Sequence, residues 1–290
     1  MISCFTNSYG RFGAPAAIAH VRSAGIRFVE LAIKTEGVPS IFHEVPILTD
    51  QSGDRDIAKV RQMLDEHDVS LSSCNITSGN PLDESVVEIT SRKLAIAADL
   101  GVSLVVAGAG EAVTPEEEST LFEHLCQIGA MAGKRGITYC FETHPGLCRN
   151  ASGMLRTMEQ LDHPHLRLNF DTGNIYFYNE AADVSDELEQ VLPYVKHVHL
   201  KDYRGAAGEW CFPALGAGGN VDFARVVELL HGIGYDGPMS LEIEGIQGEA
   251  ELTLEQTHQR VVDSVVHLRG CGLHIDQQPS SSSGMSECLD

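Results

Sequence analysis

The chain has 290 residues, 43% of them hydrophobic, which suffices for one large core or two modest ones and excludes a disordered tail or a fibre. Lys and Arg number 20 against 41 Asp and Glu, a formal charge of −21 that repels polyanions over most of the surface and argues against nucleic-acid binding. The eight cysteines form no C-x-x-C pair and several sit inside apolar runs, as reduced thiols of an intracellular protein do. No basic start leads into an apolar stretch and no run of roughly 18 apolar residues occurs, so a cytoplasmic protein that neither crosses a membrane nor is secreted is expected.

Short apolar or β-branched runs alternate from end to end with longer stretches of helical periodicity. The first predicted strand, 2–6, precedes a helix at 14–24 that stops at Gly25; the second, 27–33, precedes a helix at 54–67. Strand 70–76 leads to helix 83–100, opened by Asp83 and followed by Gly101, and strand 103–107 leads to helix 115–135, opened by Thr114 and Pro115 and followed by Gly136. Strand 138–142 is followed by helix 152–162, and strand 167–171 by helix 183–192. Strand 196–200 is followed by helix 222–233 between Asp222 and Gly234, and strand 239–243 by helix 251–270.

Eight strands, each with one helix, predict a parallel sheet covered by helices and closed into a single-domain (β/α)8 TIM barrel over residues 1–275. A doubly wound open sheet is the alternative, but no G-x-G-x-x-G follows an early strand. The barrel needs about 250 residues, which leaves a surplus for the loops after the second, seventh and last strands. Residues 276–290, polar and Ser-rich, read as a disordered tail.

Chemistry in such a barrel sits where strands end and βα loops begin. The last four strands each place a metal-type side chain there: Glu142 in CFETHPG, Asp171 in NFDTGN, His197 and His199 in HVHLKD, Glu242 and Glu244 in LEIEG. Each pair is spaced by two and so shares a strand face. One strand-end carboxylate reads as readily as a helix cap or an ion pair, but several around one point repel unless a cation joins them. A Glu, Asp, His, Glu set of hard oxygens and one imidazole suits one divalent ion, Mn²⁺ first, with Mg²⁺, Co²⁺ or Zn²⁺ as alternatives.

The strings CFETHPG, NFDTGN, HVHLKD, LGAGGNVDF and LEIEG, in this order, resemble the xylose isomerase-like TIM barrels. Those include sugar phosphate isomerases and epimerases, ketose 3-epimerases, hydroxypyruvate isomerases, inosose dehydratases and apurinic endonucleases. The resemblance covers about residues 1–272. It implies Glu142, Asp171, His199 and Glu242 as metal ligands, with His197 a packed barrel histidine and Glu244 a contact near the rim. It also implies a small sugar or polyol substrate and leaves a homo-oligomer open, with Phe177 and Tyr178 as a hint of a contact surface. Asn174 stands where the endonucleases and 3-epimerases carry histidine, and the EWCFPALGAGG loop lacks the histidine of the endonucleases, which sets DNA cleavage aside.

Chelation of a hydroxyketone by such an ion acidifies the C–H beside the carbonyl, and Glu142 and Glu242 are the expected acid–base pair for epimerisation or isomerisation through an enediolate. If a β-hydroxyl is present elimination competes, as in an inosose dehydratase, with His144 or Lys201 as the acid. Glu30, Asn75, Asn174 and Arg204 are expected to hold substrate hydroxyls, with Arg149 and Asp202 as further candidates; Glu30 reads equally as an ion-pair partner of Lys34. LGAGGN reads as a flexible loop or a phosphate cradle. Tyr9, Arg11, Phe42, His43 and Trp210 stand on loops that would set specificity.

Overall fold

The computed structural model describes residues 1–274, so the segment at 276–290 lies outside the described residues. Strands β1 (Ile2–Phe5), β2 (Phe28–Ala32), β3 (Ser70–Asn75), β4 (Leu104–Gly108), β5 (Thr138–Glu142), β6 (Leu166–Asp171), β7 (Val195–Leu200) and β9 (Met239–Leu241) form a closed parallel barrel in chain order. Ring closure is made where Ile2, Ser3 and Cys4 pair with Met239, Ser240 and Leu241. The sequence expectation of a (β/α)8 barrel is met.

Alternation along the strands sorts the side chains. Val105, Leu168, Phe170 and Val198 are buried with the hydrophobic core. Ser3, Glu30, Ser73, Asn169, His197, His199 and Ser240 are also wholly buried, and the hydrogen bonds joining Ser73 and Ser240 to His197, and Glu30 to His199, put these polar groups together inside the barrel. The interior is thus polar along one stripe and leads upward to the strand ends.

The helices begin where side chains can satisfy free N–H groups. Asp83 caps α3 (Glu84–Asp99), Thr114 and Glu117 form a capping box ahead of α4 (Pro115–Gly133), and Asp222 caps α8 (Phe223–Gly232). Of the remaining helices, α2 (Asp54–Glu66), α5 (Ala151–Leu161) and α9 (Leu254–Gly270) fall where periodicity placed them, and α1 (Gly13–His20) passes into a 3-10 turn at Val21–Ala24. One strand departs from the expected pattern, for β6 is followed by two helices. The side chain of Asp171 accepts from the N–H groups of Gly173 and Asn174 at 2.9 Å, which starts α6 (Thr172–Tyr178) directly at the strand end, ahead of α7 (Val184–Val191). Seven residues are too few to show a helical period.

Two loops shape the mouth. After β2 the chain leaves at Lys34 and returns through Leu48 and Asp50, whose backbones pair with Lys34 at 3.0 Å, so residues 36–47 form a lobe on a closed neck. After β7, β8 (Cys211–Phe212) pairs antiparallel with β10 (Gly245–Ile246), joining the loop after β7 to the loop after β9.

Candidate active site

Register alone brings four strand ends together. Asp171 pairs with His199, Asn169 pairs with both Glu142 and His197, and the Glu242 N–H donates to the Leu200 carbonyl at 3.0 Å. The Nδ1 of His199 lies 3.3 Å from Glu142 Oε1, 3.2 Å from Glu242 Oε2 and 3.7 Å from Asp171 Oδ2. One ligand atom from each of the four residues falls within 4.8 Å of every other. His199 and Asp171 are wholly buried and Glu242 nearly so, while Glu142 opens slightly to the mouth.

Asp171 Oδ2, His199 Nδ1 and Glu242 Oε2 are buried and have no hydrogen-bond partner. Three orphaned polar atoms aimed at one point are costly unless something cationic sits between them. Burial would push the His199 imidazole down, but Glu30, Glu242, Asp171 and Glu142 surround it and raise it well above the ordinary histidine range. This cage therefore favours positive charge at its centre. The donor set and its orphaned atoms fit one divalent ion, with three hard carboxylates and one imidazole.

Beside this centre Lys201 points inward. Its Nζ lies 2.7 Å from Glu244 Oε2, 3.4 Å from Glu242 Oε2 and 3.8 Å from Asp171 Oδ2, and 4.3 Å above the Phe212 ring. Burial would lower the lysine, but Glu242, Glu244 and Asp171 hold it well above its usual range, so it is an ammonium. Gly173 makes room for it: a β-carbon there would stand 2.8 Å from Lys201 Cγ.

The cluster floors a cavity of about 460 Å³ lined also by His144, Asn75, Asn174, Lys34 and Trp210, a size within the usual range for small-molecule sites. His144 packs its ring 5.3 Å from Tyr178, and Asn174 donates to the Thr143 carbonyl at 3.0 Å. Glu142, Glu242, Lys201, His144, Asn75 and Asn174 therefore meet at one cavity. Phe42 lines this cavity, and Tyr9, Arg11 and His43 line a neighbouring one of about 310 Å³ that shares Phe42 and Glu244 with it.

Other expectations need correction. Glu30 does not reach the cavity; it is wholly buried under His199, with its two oxygens 3.0 and 3.1 Å from His199 Nε2. Lys34, read as its partner, instead pairs with Glu44 at 2.9 Å and donates to Asn7 at 3.1 Å. Arg204 is exposed and lies outside the cavity lining, its backbone N–H tied to the Cys211 carbonyl. Arg149 is held by the Tyr178 carbonyl. Asp202 is spent inside its own loop, where it accepts from Tyr203, Gly216 and Val221 at 2.9, 3.0 and 3.3 Å, so LGAGGN wraps an internal carboxylate rather than a phosphate. Phe177 and Tyr178, read as a contact surface, line the cavity. Sequence reasoning missed Asn7, Lys34, Thr77 and Ser78 in the wall, loop residues whose only signal was their position after a strand.

The chain matches the xylose isomerase-like TIM barrel family over residues 18–266 and belongs to that family. An inosose dehydratase of Geobacillus thermodenitrificans is 29% identical over 149 residues, 45% of this chain and 48% of that protein. The match thus spans about half the length of that relative. A xylose isomerase-like TIM barrel protein of Mycobacterium smegmatis, solved in complex with magnesium, superposes with a TM-score of 0.70 at 20% identity, covering 93% of this chain and 97% of the other. An L-ribulose 3-epimerase does so with a TM-score of 0.69 at 19% identity, covering 93% and 95%. At these identities the two structures speak for the fold.

Proposed function

We propose that the chain is a divalent-cation-dependent isomerase or epimerase of a sugar, ketose or polyol-derived ketone, working by proton abstraction beside a carbonyl. The reading is carried by Glu142 and Glu242, two carboxylates from separate strands that reach the same buried imidazole nitrogen and line the same cavity. A bound ion, Mn²⁺ or Mg²⁺ by donor type, would supply electron withdrawal from a chelated carbonyl. In an epimerase one of the two glutamates, as carboxylate, takes the proton from the carbon while the other, already protonated, delivers its own proton to the opposite face; in an isomerase the group that took the proton hands it to the neighbouring carbon. Lys201, held as an ammonium between Glu242 and Glu244, supports negative charge developing on a substrate oxygen. Asn75 and Asn174 supply amides for hydroxyls.

An unphosphorylated substrate is favoured. The lysines of the cavity, Lys34 and Lys201, are already paired with Glu44 and Glu244, and among the described residues no arginine lines it. Phosphate would add two negative charges to a floor already rich in carboxylates. The formal charge of −21 supports a small-molecule substrate over nucleic acid. The seven described cysteines are free, and four of them are buried, which supports a reducing, cytoplasmic setting. No described helix is long and apolar enough to cross a membrane.

A second reading, dehydration of a keto-polyol, is favoured by the similarity to inosose dehydratases and by Lys201 or His144 as acid for a leaving hydroxyl. One experiment separates the two: Mn²⁺-loaded protein is incubated with ketoses, inososes and dehydroshikimate-like hydroxyketones in D₂O. Deuterium beside the carbonyl without mass loss supports isomerase or epimerase chemistry, loss of one water supports the lyase, and neither exchange nor water loss with any member of the panel overturns both.

A further inference from the structure

Glu30 sits where no substrate reaches, and its charge needs an explanation, because an ionised carboxylate buried in a barrel is strongly disfavoured without a partner. Two imidazoles face it. His197 Nε2 is 3.5 Å from Glu30 Oε2, but that ring is already engaged, with Nδ1 at 2.9 Å from Asn169 Oδ1 and Nε2 at 2.9 Å from Ser73 Oγ. His199 Nε2 meets both Glu30 oxygens at 3.0 and 3.1 Å, and the ring is stacked 5.5 Å from Phe5 at 15°.

We infer that Glu30 is a positioning residue for the metal centre: it accepts the Nε2–H of His199 and so fixes the ring with Nδ1 turned to Glu142, Asp171 and Glu242. This inference rests on the reading of those four residues as a metal site. The geometry supports it from both ends of the ring. On one side Nε2 has two carboxylate acceptors; on the other Nδ1 is one of the buried atoms with no hydrogen-bond partner. A carboxylate behind a histidine ligand selects the tautomer, orients the ring and makes the opposite nitrogen a better donor to a cation. Phe5 restrains the ring plane, and Ser73 and Asn169 keep His197 from competing for Glu30. The arrangement would account for a carboxylate on β2 that does not line the cavity, in a strand whose neighbours are apolar.

The test is Mn²⁺ affinity, measured from the paramagnetic resonance of free aqueous Mn²⁺, in wild-type protein and in Glu30→Gln. The amide is nearly isosteric and still offers an acceptor, but it lacks the charge. We expect binding weakened by about 10–100-fold, with the metal-free chain still folded by circular dichroism. Glu30→Asp, which keeps the charge but draws it back from Nε2, is expected to lie between the two and serves as the test if the Gln variant does not fold. Wild-type binding with affinity in both variants unchanged within about threefold overturns the role of Glu30 alone. Absence of any Mn²⁺ binding by the wild-type chain overturns the metal reading, and Glu30 with it. In ¹⁵N-histidine-labelled, metal-free protein, Nε2 of His199 is expected to carry a slowly exchanging proton, and finding that nitrogen unprotonated also overturns the proposal.

Discussion

The hydroxyl of Ser8 bridges the backbone on both sides of Glu242, donating to the Leu241 carbonyl and accepting from the Ile243 N–H, each at 3.0 Å. Regular pairing of β9 ends at Leu241, so this side chain takes over where the ladder stops and fixes the segment that carries the carboxylate. Ser8→Ala leaves the buried Ile243 N–H without its partner, at a cost of about 1–3 kcal/mol. The expected result is a fall in melting temperature of several degrees, together with weaker Mn²⁺ binding. Equal melting and equal affinity would separate Ser8 from the centre.

Metal removal has a stated direction. An ion that binds only the folded chain stabilises it by about 2.7 kcal/mol at a hundred times its dissociation constant. Chelation with EDTA should therefore lower the melting temperature, and added Mn²⁺ should restore it. Asp171→Asn, which alters a proposed ligand in the cluster, is expected to abolish that restoration, and calorimetric scans with and without Mn²⁺ decide it.

Lys201→Met distinguishes chemistry from metal binding. The ammonium lies beside Glu242 and Asp171 and repels any cation held by them. Loss of this charge is expected to leave Mn²⁺ affinity unchanged or tighter, while kcat/KM falls by at least about 100-fold, the range for loss of an acid or of charge stabilisation. Turnover near wild type would remove Lys201 from the reaction.

Gly219 is set by close approach rather than by backbone angle. A β-carbon there would stand 1.9 Å from Asp202 Oδ1, so Gly219→Ala must displace either the loop or the carboxylate that organises it. The melting temperature is expected to fall, whereas Gly208→Ser, on the same loop with open space around it, should change it less despite its positive φ of 86°. Comparable losses for both would contradict the tight packing of Asp202.

His197 predicts one limb of the acid transition. Its folded value, about 4, lies below the ordinary 6.5 because burial disfavours the imidazolium. The unfolded chain then binds more protons in that window, so the contribution of His197 is complete above pH 6.5 and is lost as pH falls toward 4, by about 3 kcal/mol. His197→Gln should flatten this part of the stability curve in EDTA, as measured by urea titrations at successive pH values. An unchanged slope would place the acid sensitivity elsewhere.

The barrel was legible because its strands and helices differ in period and because Asp83, Thr114 and Asp222 announce helix starts. The clustered residues were legible as candidates because each stands at the end of an apolar strand, where register converts sequence position into nearness, while the choice of His199 over His197 and of Glu242 over Glu244 came from the resemblance to the family. Glu30 was not, since Lys34 four residues on offered an obvious partner, while its true one comes from β7, 169 residues away in the chain. Asp202 misled in the same manner: a carboxylate in a glycine-rich loop looks free until the fold closes backbone N–H groups around it. Contacts between distant segments carry no local signature.

The small antiparallel pairing of Cys211–Phe212 with Gly245–Ile246 makes the two sides of the entrance unequal. Trp210 and Phe212 stand on a braced wall, its backbone knitted across two loops, whereas Ile41 and Phe42 stand opposite on a lobe joined through a narrow neck at Lys34 and Asp50. An arriving molecule thus meets a wall braced across two loops and a lobe tied back to the barrel at its neck and through the Lys34–Glu44 ion pair. Substitutions at Ile41 or Phe42 would reshape the cavity wall while leaving the four clustered side chains untouched.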